Sequence, residues 1–152
     1  MTDPRTPQSP GQTVMIVEDD ALVAMVLGDA LGDAGYRVLD LTMRRADALA
    51  VARAGLPDLA LVNIQLADGD DGIELAAALH ALGIPVVFIS GQISRARSAR
   101  TTAIGSMPKP YDADDMVVAV AYVLARLKGE AGLPRPLGLE VFDEHPGRLP
   151  TA

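Results

Sequence analysis

At 152 residues, 49% of them apolar, the chain has material for one packed domain with modest tails. Thirteen basic residues against 20 acidic ones leave a net charge of −7, the wrong sign for nucleic acid or an anionic membrane as the main partner. There is no cysteine for disulfides, thiolate metal sites or thiol chemistry, and no apolar run approaches the ~20 residues of a membrane span. The first twelve residues are polar and proline-rich without a basic-then-apolar signal, so a cytoplasmic location is expected.

Thr13 to Val17 is a short β-branched apolar run that predicts a buried strand. After the acidic trio Glu18-Asp19-Asp20, apolar residues at Leu22, Val23, Val26, Leu27, Ala30 and Leu31 predict one face of a helix, with Gly35 placed to stop it. Tyr36 to Leu41 predicts a second strand. Arg44 to Ala54 predicts a weaker helix with Ala46, Leu49 and Ala50 inward, ending at Gly55. Leu59 to Asn63 is a third strand, apolar until its last residue, and an Asp- and Gly-rich loop follows from Gln65 to Gly72.

A third helix is predicted from Ile73 to Leu82, ending at Gly83, and a fourth strand from Pro85 to Ile89. Ser94 to Thr102, with Arg95, Arg97 and Arg100, is too polar for a good core helix and reads as a solvated face. Ala103 to Met107 predicts a short fifth strand. Asp112 and Asp115 resemble a capping pair before a helix with Met116, Val117, Val120, Leu124 and Leu127 inward. Strands that are apolar throughout belong in a sheet covered on both faces, and their alternation with helices implies parallel right-handed crossovers. The expectation is therefore a five-stranded α/β domain over residues 13–128, between a flexible segment at 1–12 and a Pro/Gly-rich tail at 129–152. Within that tail Leu137, Leu139, Val141 and Phe142 have the apolar character to dock onto a surface.

In open α/β sheets the ligand site lies beyond the carboxyl ends of the strands. Those ends here carry Glu18-Asp19, Asn63, Ser90-Gly91 and Lys109-Pro110. Carboxylates, a hydroxyl and a lysine at one edge suit phosphoryl chemistry with Mg²⁺, because oxygen ligands hold a hard cation and an ammonium stabilises phosphoryl oxygens. Taken singly, the acidic trio reads as a helix first turn favoured by the dipole. Ser90 and Lys109 singly are ordinary strand-end and loop residues, and only the combination gives them function.

At these residues the chain resembles the receiver domains of two-component response regulators. The resemblance rests on Val17-Glu18-Asp19-Asp20, Leu61-Val62-Asn63-Ile64-Gln65-Leu66, Gly69 to Gly72 with Ile73-Glu74-Leu75, Phe88-Ile89-Ser90-Gly91 and Lys109-Pro110-Tyr111. It implies a flavodoxin-like sheet of order 2-1-3-4-5 with helices on both faces. Pro85-Val86-Val87-Phe88-Ile89-Ser90-Gly91 also resembles the subfamily with a Pro-Phe-x-Phe-Ala-Thr-Gly pattern, associated with general stress signalling in alphaproteobacteria. By that resemblance Glu18, Asp19 and the backbone carbonyl of Gln65 would hold Mg²⁺. Ser90 would be the switch hydroxyl and Lys109 would pair with the phosphate, its bond to Pro110 cis.

Asn63 stands where the family has its phospho-accepting aspartate, and Ser106 or Met107 where many members carry a switch aromatic. A neutral amide is too weak a nucleophile to form an acyl phosphate. At ~4 Å two unit charges interact by roughly 4 kcal/mol at an effective dielectric of 20, so an amide in place of a third carboxylate both weakens Mg²⁺ attraction and relieves repulsion.

The implied function is a stand-alone receiver, not an enzyme, that binds a sensor histidine kinase or phosphotransfer protein, with a homodimer left open. Asn63 is then either the native residue of a non-phosphorylatable receiver or an engineered block in a phosphorylatable one. A small α/β nucleotide- or cofactor-binding domain is the alternative of another class. Against it, the chain has no Gly-x-Gly-x-x-Gly after the first strand and no Gly-Lys-Ser/Thr loop. His80 and His145 read as plain surface residues.

Overall fold

A computed structural model of the protein describes residues 12–130 and 132–142. In chain order the elements are β1 (Thr13–Val17), α1 (Ala21–Asp33), β2 (Arg37–Val38), α2 (Arg45–Gly55), β3 (Leu59–Asn63), α3 (Gly72–Ala81), β4 (Val86–Ser90), α4 (Ile93–Ser98), β5 (Gly105–Pro108), α5 (Ala113–Leu127) and β6 (Glu140–Val141). They form one sheet in the order β2-β1-β3-β4-β5-β6. The first five strands are parallel, as the sequence predicts, and β6 runs antiparallel on the β5 edge. The five-strand expectation is thus exceeded by one strand, drawn from the segment read as a tail.

Every residue of β1, β3 and β4 is buried, because helices cover both sides of the sheet. Leu27 and Leu31 of α1 and Val120 and Leu124 of α5 pack with Ile16, Leu61 and Ile89 on one face. On the other, Ala48 and Ala52 of α2 and Leu75 and Leu79 of α3 meet Met15, Val62 and Phe88. Side chains alternate along each strand, so one five-residue strand feeds both layers.

Three predicted elements differ in detail. β2 spans only two residues rather than Tyr36 to Leu41, the chain then touching β1 again at the isolated Val17–Thr42 bridge. In α2 the inward residues are Ala48 and Ala52, while Ala46 and Ala50 face solvent and Leu49 is half-buried. With alanines, one leucine and one valine to choose from, spacing could not orient that helix. Gly55 is its last residue rather than its stop, and Leu56 takes the left-handed position at φ 43°.

In α1 the apolar stripe is wider than the buried one. Ala24, Leu27 and Leu31 are buried, whereas Leu22 is 69% exposed and Val26 52%. Asp20 caps this helix, its Oδ1 accepting the Leu22 and Val23 amides at 3.0 and 3.2 Å. Gly35, at φ +105°, ends it where the sequence predicts. The start of α3 is set by Gly72, whose amide donates to the Ile64 carbonyl at 2.6 Å. A Cβ on Gly72 would lie 2.0 Å from the Asn63 carbonyl oxygen, so only glycine lets α3 begin this close to the end of β3.

Two expectations follow for urea unfolding. Gly72→Ala should lose about 1–3 kcal/mol or more, because the clash is with backbone that cannot yield cheaply. Leu27→Ala should lose about 2–5 kcal/mol, whereas Leu22→Ser and Val26→Ser should stay within about 0.5 kcal/mol of the parent.

Candidate functional site

Strand register builds the site. In the β1–β3 pairing Val17 lies beside Val62, so the next residues on each strand, Glu18 and Asn63, emerge together. The β3–β4 pairing sets Asn63 beside Ile89, and the β4–β5 pairing sets Ser90 beside Pro108. All the predicted strand-end residues therefore reach one edge of the sheet. Lys109 is held there by its own amide, which donates to the Ser90 carbonyl at 3.0 Å, and its bond to Pro110 is cis, as the resemblance implies.

Asn63 is the hub. Its Nδ2 donates to Asp19 Oδ1 at 2.8 Å, to the Gln65 carbonyl at 2.5 Å and, more weakly, to Glu18 Oε2 at 3.3 Å. Three oxygens around one point leave only one sensible orientation of the amide, because turning it would set its oxygen against three acceptors. Glu18 is fully buried, and its other oxygen lies 3.2 Å from Lys109 Nζ. That Oε1 makes no hydrogen bond of good geometry, so the lysine contact is an ion pair rather than an aligned bond. Burial pushes the Glu18 carboxyl above its ordinary value, with the neighbouring Asp19 adding to the rise. The Asp20 amide and Lys109 oppose it. Two carboxylates and one ammonium give the cluster a net charge of −1; a carboxylate at 63 would make it −2.

The structure brings together Glu18, Asp19, Asn63, Gln65 and Lys109. Ser90 is buried nearby, but its Oγ accepts the Gln92 amide at 2.7 Å and does not bond the cluster. Ser106, one of the two positions considered for the aromatic switch, is buried on β5, as is Met107. His80 is exposed, and His145 lies outside the described residues.

Some features were missed. Arg95 and Arg97 do not merely face solvent. Arg95 bonds Asp71, the N-cap of α3, at 2.9 Å, and Arg97 bonds Glu140 of β6 at 2.9 Å. Their partners are distant in sequence, so no local pattern could reveal the pairs. Beside the cluster, Leu22, Val26, Pro110 and Tyr111 line an apolar groove of about 640 Å³. The Tyr111 hydroxyl is buried there, and burial, aided by Glu18, pushes it up to about 12.

A sheet parallel but for β6, with acidic residues at its strand ends, is the arrangement the resemblance implies, and comparison gives the class. Residues 14–121 match the response regulator receiver domain family, and the chain belongs to it. It is 27% identical over 134 residues to the transcriptional regulatory protein PdtaR of Mycobacterium tuberculosis, covering 84% of this chain and 65% of that protein. It is 33% identical over 84 residues to the phyllosphere-induced regulator PhyR of Methylorubrum extorquens, covering 54% of this chain and 32% of that protein. The crystal structure of PhyR from Brucella abortus superposes with a TM-score of 0.70 at 28% identity, over 83% of this chain and 52% of that one. The receiver domain of NtrX from the same organism gives 0.65 at 28% identity, over 73% and 96%. The chain thus spans less than two thirds of the length of either curated relative.

Receiver domains are signalling modules that interact with histidine kinases or phosphotransfer proteins, and they generally bind Mg²⁺ at their acidic pocket. The donor chemistry here fits such a cation, since Glu18, Asp19 and the Gln65 carbonyl present oxygens to a common point. That point is taken by the Asn63 amide nitrogen. Asn63→Asp should therefore lower thermal stability without Mg²⁺ and recover it as MgCl₂ is added, while the parent should shift little over the same titration. Equal Mg²⁺ responses of the two proteins would contradict this.

Proposed function

We propose that this chain is a receiver that works by protein contact, with a sensor histidine kinase or phosphotransfer protein as its partner, and without accepting phosphate at position 63. The observation that carries the reading is the Asn63 amide, which stands at the end of β3 where the family resemblance expects the nucleophilic aspartate. Its nitrogen donates to Asp19 and Gln65, and its oxygen carries no charge with which to attack phosphorus.

On this reading the other residues of the cluster take the roles the resemblance implies. Glu18, Asp19 and the carbonyl of Gln65 would hold Mg²⁺, more weakly than with a third carboxylate, and the ion would supply positive charge to phosphoryl oxygens. Lys109, now paired with Glu18, would be the second cation at the same edge. The partner-binding part of the reading is supported by α1, where Leu22, Met25 and Val26 are all more than half exposed beside the Tyr111 groove. Apolar side chains grouped next to a polar site mark contact surfaces. The strand-four sequence and the likeness to PhyR support placing the chain near the general-stress subfamily.

Intact-mass spectrometry after incubation with acetyl phosphate and Mg²⁺ tests the chemistry. The parent should keep its mass, and Asn63→Asp should gain one phosphoryl group. A phosphorylated parent would overturn the proposal, and a silent Asn63→Asp would mean that Glu18, Asp19 and Lys109 do not form a phosphorylation site.

A further inference from the structure

The segment after α5 has a role that the acidic edge does not use. An exposed sheet edge is a template for another strand, and here the β5 edge is filled by the chain's own β6. Gly105 pairs with Val141 and Ser106 with Glu140, and the Phe142 amide donates to the Ile104 carbonyl at 2.7 Å. The seat is shaped for a backbone. A Cβ on Gly105 would lie 2.3 Å from the Glu140 carbonyl oxygen, so a side chain at that position would keep the strand out.

The seat also reads side chains. Leu139 is buried with the α1–α5 layer and Val141 packs against it. Phe142, only 2% exposed, joins the opposite layer together with Ala96, Ala99 and Ala103. The α4 region offers only small residues there, so the phenyl ring supplies volume that α4 lacks. The Glu140 carboxylate takes both of its oxygens to Arg97 Nε at 2.9 Å. Yet the strand itself is only two residues long, and a two-rung ladder is marginal alone. The connection from α5 contains Gly129, Gly132 and Gly138 at positive φ, with Pro134 and Pro136.

We propose that the α4–β5 edge is a strand-accepting interaction surface, that residues 138–142 are its tethered resident, and that it takes an extended protein segment of aliphatic–acidic–aliphatic–aromatic alternation when the resident leaves. Each requirement comes from the seat: backbone pairing for β5, a carboxylate for Arg97, and an aromatic ring for the alanine-lined side. Binding is by strand addition, with main-chain bonds giving affinity and alternate side chains giving selectivity. A second copy of the chain carries the same segment, but a tethered strand competes at an effective concentration of about millimolar. A second copy offers an identical strand and so loses to the tethered one at micromolar protein, whereas a different protein can carry a better-fitting segment, so the partner is another protein.

The test uses the full chain. Hydrogen exchange on the parent should show the Phe142 amide opening far faster than the amides of β1 and β3; exchange only through global unfolding would overturn the proposal. A fluorescent peptide of residues 132–142 is then titrated by anisotropy. Glu140→Lys, which sets like charges together at the surface, should bind it on the order of fivefold or more tighter than the parent. The double variant Arg97→Glu/Glu140→Lys restores the internal pair and repels the peptide carboxylate, so it should return to parental weakness or below. Equal binding by all three proteins overturns the proposal. A dimer at micromolar parent concentration in light scattering overturns it in favour of exchange between copies.

Discussion

A fully buried carboxylate, Glu18, is the constraint around which the rest of the molecule is arranged. A charge without water is costly unless it is paired and hydrogen-bonded. The structure meets this with groups from two other strand ends, Lys109 after β5 and the Asn63 amide at the end of β3, and with the Asp20 amide two residues along its own chain. Neither Lys109 nor Asn63 is near enough unless the β1–β3–β4–β5 register is kept. The same register buries the apolar runs of the strands, so the packing that stabilises the sheet also assembles the polar edge. Gly72 belongs to this logic as well, since a side chain there would push α3 away from the Asn63 carbonyl.

The amide at 63 changes what that edge can do. With a carboxylate in its place, three anions would crowd one lysine and the arrangement would call for a cation. With Asn63, two N–H groups are distributed over three oxygens, and part of the neutralisation is done by the protein itself. The cost is chemical, because the atom that would attack phosphorus has lost its charge. On the proposed reading, the amide exchanges a nucleophile for hydrogen-bond donors, and the role left to the site is recognition.

Much of this was legible in the sequence where signals are local. Apolar β-branched runs gave the buried strands, glycines at 35 and 83 marked helix ends with positive φ, and acidic, amide, hydroxyl and lysine residues at strand ends located the edge. Where the signal is not local, reading failed or stayed coarse. The wide apolar stripe of α1 could not tell that Leu22 and Val26 face outward, since periodicity finds an apolar face but not whether a neighbour covers it. The alanines of α2 carried too little contrast to orient the helix. Of the four apolar residues expected to dock, Leu137, Leu139, Val141 and Phe142, the last three pack onto the core but Leu137 is 93% exposed, and the antiparallel strand depends on Gly105, more than thirty residues earlier. Arg97 read as surface because its partner, Glu140, lay in the segment assigned to the tail.

Those non-local pairs give α4 its place in the molecule. The helix is six residues long and has a single buried residue, Ala96, too little apolar surface to fix it by packing alone. It is instead held at two sides by charge. Arg95 reaches Asp71, the cap of α3 in the loop that leaves Asn63, and Arg97 reaches Glu140 on β6. Its first turn follows Ser90, whose hydroxyl accepts the Gln92 amide. Exposed ion pairs of this kind are each worth about 1 kcal/mol or less, so α4 is the least firmly anchored helix between the acidic edge and the β5 edge. The central strands β1, β3 and β4, by contrast, are buried along their whole length. α4 thus joins the two edges through charge, to Asp71 beside the acidic edge and to Glu140 on the β5 edge.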